Sequence, residues 1–253
     1  MDVLFVNGRK TVLTRSEIEN ILKNQWNLPW IKQDSLEHIV KKLLKEGAPK
    51  KIRLDNRNVI DPFSALFDIA ISHINFDVWE KAEIVRQHQK TLQNAIGKFH
   101  QMVLGSIDGC EDLGVGKIVD FKCEKKKIFA EIKNKFNTVK ASDLKGVYKT
   151  IAEYRRMNCP DYTGYYVQIL TKSRFNRCFT PSDNTSGSKP EPNPHIREID
   201  GSSFYTLITG DEEALINLYK ILPYVLQKVE PSFDADAIVK HKLYQELIED
   251  ATK

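Results

Sequence analysis

Apolar residues recur along this chain with two periods, and the switches between them outline its elements. Val78, Ala82, Val85, Leu92, Ile96, Phe99 and Val103 return every three or four residues, which predicts a long amphipathic helix from Val78 to Leu104, closed by Gly105. The period then drops to two. Lys117 to Cys123 sets Ile118, Asp120 and Lys122 on one face and Val119, Phe121 and Cys123 on the other. Lys127 to Lys133 alternates Ile128, Ala130 and Ile132 with Phe129, Glu131 and Lys133, and Glu124-Lys125-Lys126 is short enough to join the two runs as an antiparallel hairpin. Helical spacing returns with Leu144, Val147, Tyr148, Ile151 and Tyr154, with Ser142 as the expected N-cap. Gly164 to Thr171, GYYVQILT, then reads as a buried strand rich in β-branched and aromatic residues. With a weaker strand between Ser106 and Leu113, the order is αβββαβ, which predicts an α/β fold with a mixed sheet flanked by helices.

The flanks extend this core at both ends. Thr14 to Asn24 and Gln33 to Glu46 have helical spacing, separated by the turn-prone Asn27-Leu28-Pro29, and Lys51 to Ile60 has the pattern of a small hairpin. Residues 1–60 therefore read as an N-terminal helical region, either a winged-helix arrangement or helices packed onto the body, and 61–253 as the core with C-terminal helices. Pro181 to His195 contains four prolines and almost no apolar residue, so it is a loop. Phe204 to Ile208 has the composition of an edge strand. Asp211 is placed to cap a helix bearing Ala214, Leu215, Leu218 and Leu222, and a last amphipathic helix spans about Ala237 to Ile248.

Composition narrows the class. A chain of 253 residues with 41% hydrophobic content can form one large domain, or a core with a small appendage. No apolar run reaches transmembrane length and the first residues, MDVLFVNGRK, lack a signal-peptide pattern. Cys110, Cys123, Cys159 and Cys178 are scattered without zinc-type spacing, so reduced thiols in a cytoplasm are expected. The net charge of +4 is unevenly spread: residues 117–156 hold twelve Lys/Arg against five Asp/Glu, which leaves the rest of the chain slightly acidic. Positive charge gathered there suits a phosphate-rich ligand, although charge alone does not separate DNA from RNA or an acidic protein.

The chemistry sits inside that basic stretch. Glu131 and Lys133 project to one side of their strand while Ile132 points to the other, and the hairpin lets Asp120 approach Glu131. Two carboxylates held together are unfavourable unless a proton is shared or a cation lies between them. Magnesium, a hard ion with oxygen ligands, would resolve the repulsion, activate a water and stabilise charge on a phosphodiester, with Lys133 steering that water. A Glu-x-Lys triplet alone is common on solvated strands; the aspartate in the preceding strand is what sets this one apart. On the long helix, Glu83 reads either as a further metal ligand or water-orienting acid, or as a plain surface acid. Gln89 marks the one lapse in the helix pattern.

Asp120 followed by Glu131-x-Lys133, within this order of elements, resembles the PD-(D/E)XK nuclease superfamily. The phrases AEIKNKFNT (Ala130 to Thr138), QKTLQNAIGKFHQMVLGSIDG (Gln89 to Gly109) and VIDPFSALFD (Val59 to Asp68) are similar, more narrowly, to type II restriction endonucleases that cut GGNCC-type interrupted palindromes. The resemblance covers residues 30–210, most specifically 59–156. One departure is that Val119, not proline, precedes Asp120. The resemblance implies that Asp120, Glu131 and the Ile132 carbonyl bind Mg2+, that Lys133 assists the attacking water, and that Glu83 is the helix-borne acid. It further implies hydrolysis of double-stranded DNA to a 5′-phosphate and a 3′-hydroxyl. A palindromic target implies a homodimer with one site per subunit, and a cognate DNA methyltransferase to protect the host's own sites.

Base readers are less defined. Asn134, Lys135, Asn137, Thr138 and Lys140 follow the lysine closely and are expected near phosphates or near bases at the scissile bond. Lys172, Arg174, Asn176 and Arg177 follow the GYYVQILT strand and are candidates for guanine edges. Two other functions fit the same residues: a repair or recombination nuclease with this core, or a non-catalytic DNA-binding protein using the N-terminal region.

Overall fold

The computed structural model describes residues 5–6, 9–10, 13–22, 26, 28–48, 60–114, 116–182 and 187–252. In chain order the elements are β1 (Phe5–Val6), β2 (Arg9–Lys10), α1 (Arg15–Leu22), α2 (Gln33–Gly47), α3 (Pro62–Ser72), α4 (Phe76–Gly105), β3 (Cys110–Asp112), β4 (Phe121–Cys123) and β5 (Ile128–Lys135). A single 3-10 turn (Ala141–Asp143) leads into α5 (Leu144–Asn158), β6 (Thr163–Leu170), β7 (Asn176–Cys178), β8 (Ile196–Asp200), α6 (Gly201–Thr209), α7 (Ala214–Val229), α8 (Ala235–Lys240) and α9 (Lys242–Thr252). The chain parts into two compact units, residues 1–40 with 99–253, and residues 41–98. Among the described residues no helix is long and apolar enough to cross a membrane. The hairpin expected over Lys51 to Ile60, on which the winged-helix reading rests, lies outside the described residues except for Ile60.

The first unit is built on a six-stranded sheet ordered β3-β4-β5-β6-β8-β7. The pairs β3/β4, β4/β5 and β7/β8 are antiparallel, whereas β5/β6 and β6/β8 are parallel. The expected αβββαβ order is thus the observed one, running α4, β3, β4, β5, α5, β6, and the sheet is mixed. Both faces are covered, as the parallel centre requires. On one face Phe129, Tyr166 and Ile196 pack with Ile151 of α5, Val119 and Phe179. On the other, Phe204 of α6 meets Phe121 and Tyr165 edge-on or tilted, at 5.7 and 5.9 Å between ring centres. Gly164 lies beside Phe129 in the register. A Cβ there would stand 2.5 Å from both the Phe129 ring and Ile151 Cγ2, so the large aromatic fits only because its neighbour has no side chain.

Several local expectations need correction. Regular strand geometry on the first arm of the hairpin is limited to Phe121–Cys123, and residues 117–120 are bends, although their alternation survives: Val119 is buried and Ile118 is 60% exposed. The second arm begins at Ile128, because Lys127 takes φ 52° in the turn, and it runs on to Lys135. Ser142 does not cap α5; its hydroxyl donates to Asp143, and Asp143 at the cap position makes no side-chain cap bond. Phe204 to Ile208 is helix, not edge strand. Asp200 accepts from the Ser203 N–H at 2.9 Å and starts α6, while Gly210 at φ 80° ends it, so the caps override the β-leaning composition. The edge strand on that side of the sheet is instead β7, paired to β8. Asp211 accepts from the Glu213 N–H just ahead of α7, and the last helix is split at His241 into α8 and α9.

In the 41–98 unit the long-helix stripe faces the wrong way. Val78 and Val85 are 47% and 54% exposed and Ala82 is exposed, whereas Trp79 and Glu83 are buried. Only over these first turns is the buried side shifted by a residue; further along the helix Phe99 and Val103 are buried, as the spacing predicts.

Candidate active site

β4 and β5 hold the site through their register. Phe121 pairs with Ala130, which sets Asp120 across from Glu131. Asp120 is pinned by its backbone on both sides: its N–H donates to the Ala130 carbonyl at 3.0 Å, and its carbonyl accepts from the Leu113 N–H at 2.9 Å. Its side chain also turns inward, Oδ2 accepting from the Ile132 N–H at 2.8 Å. Two residues along β5 from Glu131, and on the same face, Lys133 donates from Nζ to Glu131 Oε1 at 2.6 Å. These last two side chains are only 20% and 30% exposed. The structure therefore brings Asp120, Glu131 and Lys133 together, with the Ile132 main chain between them.

The electrostatics are strained in a directed way. Burial raises the Asp120 carboxyl above its ordinary value, against the pull of the Ile132 N–H and the Lys133 charge, and Asp112 pushes it further up. Burial also raises Glu131, and the negative charge on Asp120 adds to it. Two acids that resist ionising side by side are relieved by a shared proton or by a cation. The donor set is oxygen only, two carboxylates and a main-chain carbonyl, so it fits a hard divalent ion such as Mg2+ and not a thiolate or imidazole metal. Among the described residues no three His, Cys, Asp or Glu side chains form a closed cage. An open set of this kind suits an ion that keeps waters and substrate oxygens in its shell.

Asp112, absent from the sequence reading, belongs to this neighbourhood. It is the residue of β3 in register with Phe121, one position from Asp120. Its proximity follows from the pairing of a three-residue strand, which no local pattern announces. Gln168 is the register neighbour of Lys133 on β6.

Glu83 lies in the other unit and is described there alone. It is 8% exposed, which rules out the plain surface acid. Arg86 holds both of its oxygens, at 2.6 and 2.5 Å, and Gln87 adds a third bond at 3.0 Å. These partners keep its carboxyl below the usual value despite burial.

Apart from Arg177, the DNA candidates lie at or after the carboxyl ends of β5 and β6. Lys135 is in register with Leu170, and the Phe136 N–H donates to the Leu170 carbonyl at 2.9 Å, so the segments after the two strands start side by side. Asn137 is exposed at φ 62°, Thr138 donates back to the Lys135 carbonyl, and Lys140 is exposed. Lys172 lies 5.5 Å over the Phe136 ring. Asn134 is half-buried on β5 and Arg174 is exposed. Arg177, on edge strand β7, is engaged by Glu198 at 2.7 Å and stacks over Phe175 at 5.1 Å.

The sequence matches the model of the Eco47II restriction endonuclease family over residues 28–230. The chain belongs to that family. This restriction endonuclease is 40% identical, over 210 residues, to the type II restriction enzyme Eco47II of Escherichia coli, covering 80% of this chain and 87% of the relative. It is 35% identical over 175 residues to the type II restriction enzyme Sau96I of Staphylococcus aureus, covering 67% of each. The family match takes in every strand of the sheet and with it the whole of the site above.

Proposed function

We propose that this restriction endonuclease hydrolyses both strands of double-stranded DNA at a short GGNCC-like palindrome, in a Mg2+-dependent reaction leaving 5′-phosphate and 3′-hydroxyl ends. The observation that carries the proposal is the half-buried pair of carboxylates Asp120 and Glu131, both raised by burial, with Lys133 beside Glu131 on β5. Asp120, Glu131 and the Ile132 carbonyl would hold the ion, which when bound supplies charge stabilisation at the scissile phosphate and a more acidic water. Lys133, released from Glu131, neutralises the phosphate and orients the attacking water. Asn134, Lys135, Asn137, Thr138 and Lys140 line the backbone beside the cut, and Arg174 and Arg177 contribute to reading the site. Glu83 serves as an accessory acid, its role limited by the Arg86 clamp. A two-fold target matches two copies of the chain, and a cognate methyltransferase shields the host.

Incubation of the purified protein with unmethylated phage DNA tests this. Discrete, Mg2+-dependent fragments are expected, with Lys133→Ala abolishing cleavage while a mobility shift persists. Smears or cuts confined to branched DNA would point to a repair nuclease, an intact but shifted substrate to a DNA-binding protein, and undiminished turnover by Lys133→Ala would remove the lysine from the reaction.

A further inference from the structure

β6 is buried along almost its whole length, and one polar side chain interrupts it. Within Thr163–Leu170 only the two end residues and Gln168 are not buried. A central parallel strand calls for apolar side chains on both faces, so an amide at this place needs a cause. Register supplies its neighbours. Gln168 stands between Lys133 of β5 and Asp200 of β8, on the face that also bears Glu131. Strand spacing puts the Lys133 and Gln168 main chains about 4.8 Å apart. The face is closed on one side of this row, where Phe129, Gly164 and Tyr166 are buried, and Glu131, Lys133 and Gln168 are the half-buried residues at its opening.

Both neighbours are already engaged. Lys133 donates to Glu131, and Asp200 accepts from the Ser203 and Phe175 N–H groups at 2.9 and 2.7 Å. The Gln168 side chain has no hydrogen bond among the described residues, and neither of its polar atoms is sealed from solvent. An amide carries N–H donors and a carbonyl acceptor that call for partners. What reaches this opening in the proposed reaction is a phosphodiester, whose non-bridging oxygens accept hydrogen bonds from neutral and charged donors alike.

We infer that Gln168 contacts the phosphodiester that is cut, its Nε2 donating to a non-bridging oxygen. The inference rests on the nuclease reading proposed above and adds a residue to it. Across the sheet the site then runs from Asp120 through Glu131 and Lys133 to Gln168. Carboxylates for the ion lie on one flank, and a neutral donor for the phosphate lies on the other. Neutrality matters at this place. A carboxylate there would repel the phosphate, and a further cation would compete with Lys133 for Glu131. A donor fixed on a central strand stabilises charge developing on the phosphate oxygens without having to reorganise.

Single-turnover cleavage by the full-length protein, on a duplex carrying a site that the wild type cuts, is the test. Gln168→Ala is expected to cut about a hundredfold more slowly, with DNA affinity in EDTA within about twofold of wild type and the same melting temperature. Gln168→Glu keeps the shape but loses the donor, and is expected to be slower than Gln168→Ala. Sulfur in place of one non-bridging oxygen at the cut weakens a hydrogen bond to that position. With one of the two phosphorothioate diastereomers the wild type is therefore expected to slow, and Gln168→Ala to lose that slowing. Wild-type rates in Gln168→Ala, or faster cutting by Gln168→Glu than by Gln168→Ala, would overturn the donor role. A slow Gln168→Ala that melts lower, or that responds to both diastereomers as the wild type does, would assign the amide to holding the sheet and overturn it too. Any of these results leaves the nuclease reading standing; a wild type without Mg2+-dependent cleavage removes that reading and the contact together.

Discussion

The sheet unit and the 41–98 unit treat the same sequence pattern in opposite ways. α5 and α7 follow helical periodicity and bury the apolar side: Ile151 is fully buried, and nine residues of α7 are inaccessible, from Ala214 to Val225. α3 is richer in apolar residues than α5, yet of its side chains only Ala65 is buried. The difference lies in what stands opposite. A six-stranded sheet offers two wide apolar faces to cover, whereas the described residues of the 41–98 unit bury only three apolar side chains. Periodicity therefore announces a face to be covered, and tertiary or quaternary context supplies the cover.

The sharpest way to break this contrast is to remove an aromatic from each unit. Phe129→Ala in the sheet leaves a void against Ile151, Tyr154 and Gly164, and should cost about 3–5 kcal/mol in denaturant unfolding. Phe63→Ala on α3, 72% exposed, should cost no more than about 0.5 kcal/mol. Equal costs at the two sites would mean that α3 is covered within one chain.

The grouping of the candidate site's side chains was legible in the sequence and its periphery was not, and the reasons differ by residue. Asp120, Glu131 and Lys133 were readable because a tight hairpin fixes register locally, so alternation alone assigns faces. Phe204, Tyr205 and Ile208 misled because aromatic and β-branched residues favour strands in general, while the capping bond from Asp200 and the left-handed Gly210 decide locally for helix. β8, with Ile196 and Ile199 buried in a non-alternating pattern, is hard to tell from the end of a loop. Asp112 reaches the site through a three-residue pairing, which is long-range information. The exposed stripe of α4 shows the same limit: spacing located a face without saying what meets it.

A second probe sharpens the contrast by loading only the sheet unit with charge. His100 is completely buried, with Nδ1 2.9 Å from the Tyr205 hydroxyl, and burial pushes its pKa down to about 4. An unfolded histidine binds a proton near pH 6.5, so below that value the unfolded chain holds the extra proton. Stability contributed by the neutral ring is full above about 6.5 and is lost as pH falls towards 4, a difference of about 3 kcal/mol. Unfolding curves between pH 4.5 and 7 should show this loss, and His100→Gln, which can keep the bond to Tyr205, should flatten it. Parallel profiles for the two proteins would place the acid sensitivity elsewhere.

The smallest expected effect lies at the candidate site and has the opposite sign. Asp120 and Glu131 are both raised by burial, and Glu131 further by the charge on Asp120, so the folded chain holds protons that the unfolded chain has already released. Without metal, their joint ionisation opposes folding: stability falls as pH rises from the ordinary carboxylate range through the raised values, and the cost persists above them. Asp120→Asn removes that cost and keeps an oxygen to accept the Ile132 N–H, as well as the Lys133–Glu131 pair. In EDTA at neutral pH the variant should therefore melt above the wild type, by about 0.5–2 kcal/mol of added stability, with no gain at low pH where both proteins are protonated. Mg2+ should raise the melting temperature of the wild type and leave the variant nearly unchanged, because a ligand stabilises only the fold that binds it. An asparagine variant that melts below the wild type in EDTA would mean that the aspartate is kept for structure, and would take the metal reading of the pair down with it.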